Sequence, residues 1–192
     1  MQLEQDYFRL LGVAPQFDLD SSVLKQNARK LQREYHPDRY ASHTPQEQRL
    51  AAQVSAQINS ALATLLDPVR RANYLLQRQG IEINAQTHTE RDTDFLMQQM
   101  ALRETLEEAR MNADVDALDA LAEQVQGAYA AAQEEFKDSM QVHNVAAEPV
   151  DEKTAAQLDD QVKAGLISQI SKMRFYQKLL EELQAASAVM GA

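Results

Sequence analysis

The chain contains no cysteine and no tryptophan, and only five glycines, five prolines and four histidines in 192 residues. Without cysteine there is no disulfide, no thiolate metal ligand and no thiol nucleophile. The histidines, His36, His43, His88 and His143, include no pair at i,i+4 spacing, so a histidine metal site finds no support. No glycine-rich phosphate loop or nucleophile elbow is present, and no catalytic constellation can be assembled. The expectation is a protein that is not an enzyme and holds no cofactor. Alternating runs of valine, isoleucine and threonine are also missing, which argues against β-strands. No apolar run approaches the roughly 20 residues that span a bilayer, and the Met-Gln-Leu-Glu-Gln-Asp start lacks the basic-then-apolar pattern of a secretory signal. A cytoplasmic, all-α protein of one or two domains is expected.

What charge there is divides unevenly. Residues 1–80 carry 10 Lys+Arg against 8 Asp+Glu, net +2, and residues 81–192 carry 9 against 21, net −12. Nucleic acids and anionic membranes are recognised through positive charge, so neither suits the second part. A protein partner does. Four of the five prolines fall before residue 81, each at an expected helix boundary. Three segments follow: residues 1–80 form one helical domain, 81–92 a linker after Gly80, and 93–192 a bundle of three longer helices. The bundle helices are expected near Thr93–Met111, Asp114–His143 and Asp151–Ser187, with a turn around Asn144–Pro149. Short connections make such helices antiparallel neighbours.

Within the first part, Asp6 to Gly12 supplies a short helix with a glycine stop. Val23, Leu24, Ala28, Leu31 and Tyr35 then recur at intervals of three and four and give one apolar stripe, while Lys25, Arg29 and Arg33 stack four apart as a basic ridge on another face. The ridge leads into His36-Pro37-Asp38. Pro37 disfavours helical dihedrals at the residue before it, so the helix ends near His36 and the tripeptide sits at an exposed turn. Thr44-Pro45-Gln46-Glu47 begins the next helix, with Thr44 as cap, Pro45 at the first position and Glu47 returning the capping bond. Leu50, Val54, Ile58, Ala61 and Leu65 form its stripe. Asp67-Pro68 starts a fourth helix.

The bundle carries a second feature. At 100° per residue, Phe95, Leu102, Leu106 and Ala109 make an ordinary core stripe, but Leu96, Met97 and Met100 fall roughly 100 to 200° away from Phe95. They are expected to form an exposed apolar patch with Glu104 and Glu107 at its border. In the last helix Leu158, Val162, Leu166, Met173, Tyr176 and Leu180 make the core stripe. Phe175 points roughly 140° from its centre, a second candidate for exposure. Exposed clustered apolar groups suit binding, and methionine adapts to a partner's shape.

Residues 4–80 resemble a J-domain in Asp6-Tyr7-Phe8-x-x-Leu11-Gly12-Val13, in Leu31-x-x-x-Tyr35-His36-Pro37-Asp38 and in Asn59-x-Ala61-x-x-x-Leu65. Where that family commonly has lysine after the aspartate, Arg39 stands here, which keeps the charge but not the hydrogen-bonding geometry. The segment Arg91 to Glu104, together with Lys172-Met173-Arg174-Phe175 and Lys178-Leu179, resembles the HscB family, the J-type co-chaperones of iron–sulfur cluster assembly. That resemblance spans the whole chain and implies a four-helix J-domain joined by a short linker to a three-helix, scaffold-binding bundle.

It further implies two partners. The loop His36, Pro37, Asp38 and the ridge Lys25, Arg29, Arg33 would dock on a DnaK-like chaperone ATPase, HscA, and stimulate it. Leu96, Met97, Met100, Glu104 and Phe175 would contact the iron–sulfur scaffold protein, IscU. Met100 stands where the family typically has leucine, a volume-conserving exchange. Generic DnaJ proteins match less well, since they carry glycine/phenylalanine-rich and cysteine zinc modules. Some eukaryotic HscB relatives carry a cysteine-rich extension and a targeting segment, so a bacterial-type protein is expected. On the residues alone the patch suits another client or self-association equally, while His36 and Asp38 as an acid/base pair lack any substrate-activating group.

Overall fold

The structure is a computed structural model that describes residues 6–81, 92–142 and 159–190. Every regular element among the described residues is helical. The chain divides into two compact units, with the division after Gly80.

The first unit holds α1 (Tyr7–Leu10), α2 (Ser21–Glu34), a 3₁₀ turn (Pro37–Tyr40), α3 (Pro45–Leu66) and α4 (Pro68–Arg78). A single-turn helix is not stable by itself, and α1 is held by partners distant in sequence. Asp6 accepts from the Phe8 N–H at 2.9 Å to cap it, and the same carboxylate pairs with Arg78 at 2.7 Å. The Tyr7 N–H donates to the Tyr74 hydroxyl at 2.9 Å, and the two rings stack at 4.7 Å. Phe8 and Leu11 are fully buried. Gly12 then turns the chain at φ +63°, a left-handed conformation that glycine adopts without strain.

The start of α3 has the expected capping box, with the Glu47 N–H donating to Thr44 and the Glu47 carboxylate accepting from the Thr44 N–H. Val54, Ile58, Ala61 and Leu65 are buried as their spacing predicts, while Leu50 is half-buried. In α2 only Leu24 and Ala28 are fully buried; Leu31 and Tyr35 are half-buried and Val23 is exposed. α2 packs chiefly against α3, and a single neighbouring helix buries only a narrow arc of it. Asp67 is at once the C-cap of α3 and the N-cap of α4, where it accepts from the Arg70 N–H at 2.9 Å. Each fully buried leucine, isoleucine or phenylalanine contributes about 1.5–3 kcal/mol.

The second unit holds α5 (Thr93–Met111), α6 (Val115–Val142) and α7 (Asp160–Met190). The expected start of the last helix at Asp151 and the turn at Asn144–Pro149 lie outside the described residues. Most of the expected 81–92 linker does too, although Ile81 is buried and Asp92 caps α5 by accepting from the Phe95 N–H at 3.0 Å. The turn from α5 to α6 passes through Ala113 at φ +50°. It closes with Asp114 capping α6 through the Ala117 N–H at 2.9 Å.

Contacts of Asp92 with Lys172, Gln98 with Tyr176 and Arg103 with Glu182 advance together along both helices, so α5 and α7 run parallel. Between α6 and α7, the buried Gln169 amide donates to Glu135 at 3.2 Å and to Ser139 at 2.9 Å. Phe95, Leu102, Leu106 and Ala109 form the α5 core face as predicted. The α7 stripe differs. Leu158 lies outside the described residues; Leu166, Met173 and Tyr176 are buried, but Val162 and Leu180 are half-exposed, and Ile167, Ile170, Leu179 and Leu183 are buried in addition. A helix touching two neighbours buries a broad arc, which a single-stripe reading underestimates.

Candidate functional site

The first candidate site is built by the end of α2. Tyr35 is the C-cap of that helix, and His36 is extended at φ −66° and ψ 133°, as the following proline requires. Beyond a plain turn, residues 37–40 wind into 3₁₀ geometry, and the Arg39 N–H donates to the His36 carbonyl at 3.0 Å. The His36 ring caps this turn: its Nδ1 accepts from the Asp38 N–H at 3.3 Å. The same Nδ1 lies 3.5 Å from Asp38 Oδ2. A nitrogen that accepts from an N–H carries no proton, so the cap and a charged contact to Asp38 are alternatives. The cap takes precedence for the neutral ring. The Asp38 carboxylate is 91% exposed, open to a cationic partner group.

Lys25, Arg29 and Arg33 are all exposed. A shallow groove of about 790 Å³ follows them and takes in Lys30 and Arg39 as well. A smaller depression of about 370 Å³, lined by Arg29, Gln32, Arg33, His36 and Arg39, joins the ridge to the loop. Arg39 bends back so that its Nη1 donates to the Arg33 carbonyl at 3.3 Å. Sequence spacing placed three cations here and missed Lys30 and Arg39. The signal for Arg39 was its position one residue after the loop, where a 3₁₀ turn swings it toward α2.

The second candidate site lies on α5. Leu96 is 47%, Met97 66% and Met100 65% exposed, and Glu104 one turn further along is exposed too. Phe175 does not stand free as its helical position suggested. It is half-buried, edge-on to Phe95 at 5.7 Å, because parallel packing of α5 and α7 brings the two rings together. The Arg103 guanidinium lies 5.7 Å over the Phe175 ring and 3.7 Å from Glu182. An arginine therefore joins the acidic border expected from the sequence; Glu107 is paired with Arg110 at 3.0 Å.

Beneath the patch, Lys172 spans Asp92 at 3.3 Å and the Phe95 ring at 5.5 Å. The Phe95 N–H holds the Asp92 carboxyl below the usual carboxylate range, against a smaller cost of burial, with Lys172 adding to the effect. Burial pushes the Tyr176 hydroxyl up, and its bond to Gln98 opposes this. Among the described residues no cluster of His, Asp and Glu could hold a metal ion, and no helix is long and apolar enough to cross a membrane. Both sites are exposed surfaces.

Comparison with known proteins gives these surfaces a context. A family model described as the DnaJ domain matches residues 6–74, and one described as the HSCB C-terminal oligomerisation domain matches residues 91–184. A Shewanella baltica protein named co-chaperone protein HscB homolog is 37% identical over 179 residues, covering 93% of this chain and 94% of that protein. A Colwellia psychrerythraea protein of the same name is 38% identical over 174 residues, 91% of each. The structure titled chaperone HscB from Vibrio cholerae matches with a TM-score of 0.77 at 35% identity, over 97% of this chain and 99% of that one. Human co-chaperone protein HscB matches with a TM-score of 0.78 at 25% identity, over 96% and 83%. With both family models matched in order and relatives aligned over nearly their full length, the chain belongs to the HscB family of J-domain co-chaperones.

Proposed function

We propose that this co-chaperone binds the iron–sulfur scaffold protein IscU through its bundle, delivers it to the DnaK-like chaperone HscA, and stimulates that chaperone's ATPase in the cytoplasm. Residues 1–80 are the chaperone-docking domain, 81–92 the linker and 93–192 the scaffold-binding domain. Asp38 meets a cation of the ATPase, Pro37 and the His36 cap hold the turn that presents it, and Lys25, Arg29 and Arg33 meet acidic groups. Leu96, Met97 and Met100 form the centre of the scaffold contact, with Phe175 and Glu104 at its edge. Tethering both recognition events raises the scaffold's effective concentration at the chaperone, and ATP hydrolysis then favours cluster transfer. Neither nucleic acid nor membrane takes part.

The observation that carries this reading is the retention of three adjacent large apolar side chains, 47–66% exposed, on a helix whose opposite face is a packed core. Its test is the titration of purified scaffold protein against Leu96→Ala/Met97→Ala/Met100→Ala. Affinity should fall tenfold or more, roughly the value of a desolvated hot spot, and unchanged affinity with helicity preserved would remove the assignment. For the loop, His36→Gln should abolish stimulation of the ATPase.

A second reading, self-association through the same patch, is favoured by the description of the matching family model as an oligomerisation domain. Light scattering separates the two. A dimer that the triple substitution abolishes supports self-association, and a monomer that gains mass only with scaffold supports the first reading.

A further inference from the structure

Of the seven methionines in the chain, two stand in one exposed patch. Met97 and Met100 are three residues apart on α5, hence on one face, and are 66% and 65% exposed, with Leu96 beside them. Met173, by contrast, is completely buried in α7. The chain has no cysteine, so no thiol competes for an oxidant, and the thioether is the side chain in which peroxide sensitivity resides.

We propose that Met97 and Met100 form a reversible oxidation site that switches the client surface off. This rests on the scaffold-binding reading given above. The thioether sulfur attacks one oxygen of a peroxide; the O–O bond breaks, an S–O bond forms, and the remaining oxygen leaves as water or alcohol after taking up the proton. Sulfur loses two electrons and the peroxide gains them. The product has a strong acceptor oxygen where the patch was apolar, and covering that oxygen with a partner costs its hydration unless a donor meets it. The neighbouring side chain Leu96 has no donor to offer. Because the sulfur becomes chiral, complete reversal needs both stereospecific classes of methionine sulfoxide reductase. A bound scaffold covers the same atoms, so free co-chaperone is the form that is modified.

The test treats the full folded chain with hydrogen peroxide, maps the modified methionines by mass spectrometry, and titrates treated protein with purified scaffold. Conversion is expected at Met97 and Met100 with Met173 spared, together with about a tenfold or greater loss of affinity. Treatment with both reductases should restore binding, and Met97→Leu/Met100→Leu protein, whatever its own starting affinity, should show the same affinity before and after peroxide. If that leucine variant loses affinity on treatment as the unsubstituted chain does, the effect lies elsewhere, with Met111 at 79% exposure the first suspect, and the proposal is overturned. It is overturned alone if converted protein binds normally while Leu96→Ala/Met97→Ala/Met100→Ala does not. If that alanine variant also binds normally, the scaffold-binding reading falls with it.

Discussion

The two candidate surfaces are made in opposite ways. The loop of the first unit is a device of backbone and charge: a proline, an imidazole cap and a 3₁₀ turn set one carboxylate in solvent, after a helix whose groove is lined by five cations. The patch of the bundle uses no special backbone at all. It is three side chains on a regular helix, left uncovered where α5 turns away from its core. The first kind of surface gains orientation and rate of encounter from charge, and the second gains affinity from burial of apolar area. On the proposed reading, one chain therefore addresses two partners with chemistries that do not compete.

Sharp tests of this contrast begin with the core. Phe136→Ala removes a fully buried side chain of α6 and should cost about 3–5 kcal/mol. Amide exchange should accelerate throughout α5–α7 and stay unchanged in α1–α4; loss of protection in both would show that the units do not fold separately. Next in size is a crossed pair of variants. Asp38→Asn should reduce ATPase stimulation roughly tenfold or more while scaffold affinity stays within about twofold, and the triple alanine variant should do the reverse. A variant that damaged both activities equally would erase the distinction.

Salt gives a smaller separation. Raising ionic strength from about 0.05 to 0.5 M should weaken chaperone docking several-fold and leave scaffold binding nearly unchanged, since exposed cations are screened and apolar burial is not. Binding isotherms at both salts decide it. The smallest effect concerns Asp92. Its carboxyl titrates lower folded than unfolded, so the stability it lends is present above its unfolded value and is lost as pH falls through the folded one. Amides of Thr93 to Phe95 should then lose protection in acid relative to their intrinsic exchange rates, and Asp92→Asn, which caps without titrating, should remove that dependence. Equal acid sensitivity in the variant would exclude Asp92 as its source.

Most of the loop could be seen in the sequence because proline and the capping residues act on their immediate neighbours. Thr44, Glu47, Asp67 and Pro68 behave as local chemistry dictates. The patch could be seen as well, since α5 buries a single narrow stripe and its remaining faces follow from helical period. Phe175 could not, because its environment depends on the parallel approach of α5 and α7, which no periodicity within α7 encodes. The anchoring of α1 was hidden for the same reason: Asp6 and Arg78, or Tyr7 and Tyr74, meet only once the first unit closes. The part played by His36 needed the ring's own geometry, since a histidine before proline gives no sign that Nδ1 turns back to Asp38.

Asp67 is the single residue between α3 and α4, the C-cap of one and the N-cap of the other. A joint of one residue has no slack. Any insertion there must either give up the cap or rotate one helix by about 100° and turn its apolar face to water. Insertions and deletions in this unit are therefore expected to accumulate in the segments on either side of α2 and to be absent at residue 67, so that natural length variation changes how the loop is presented without altering the angle between α3 and α4.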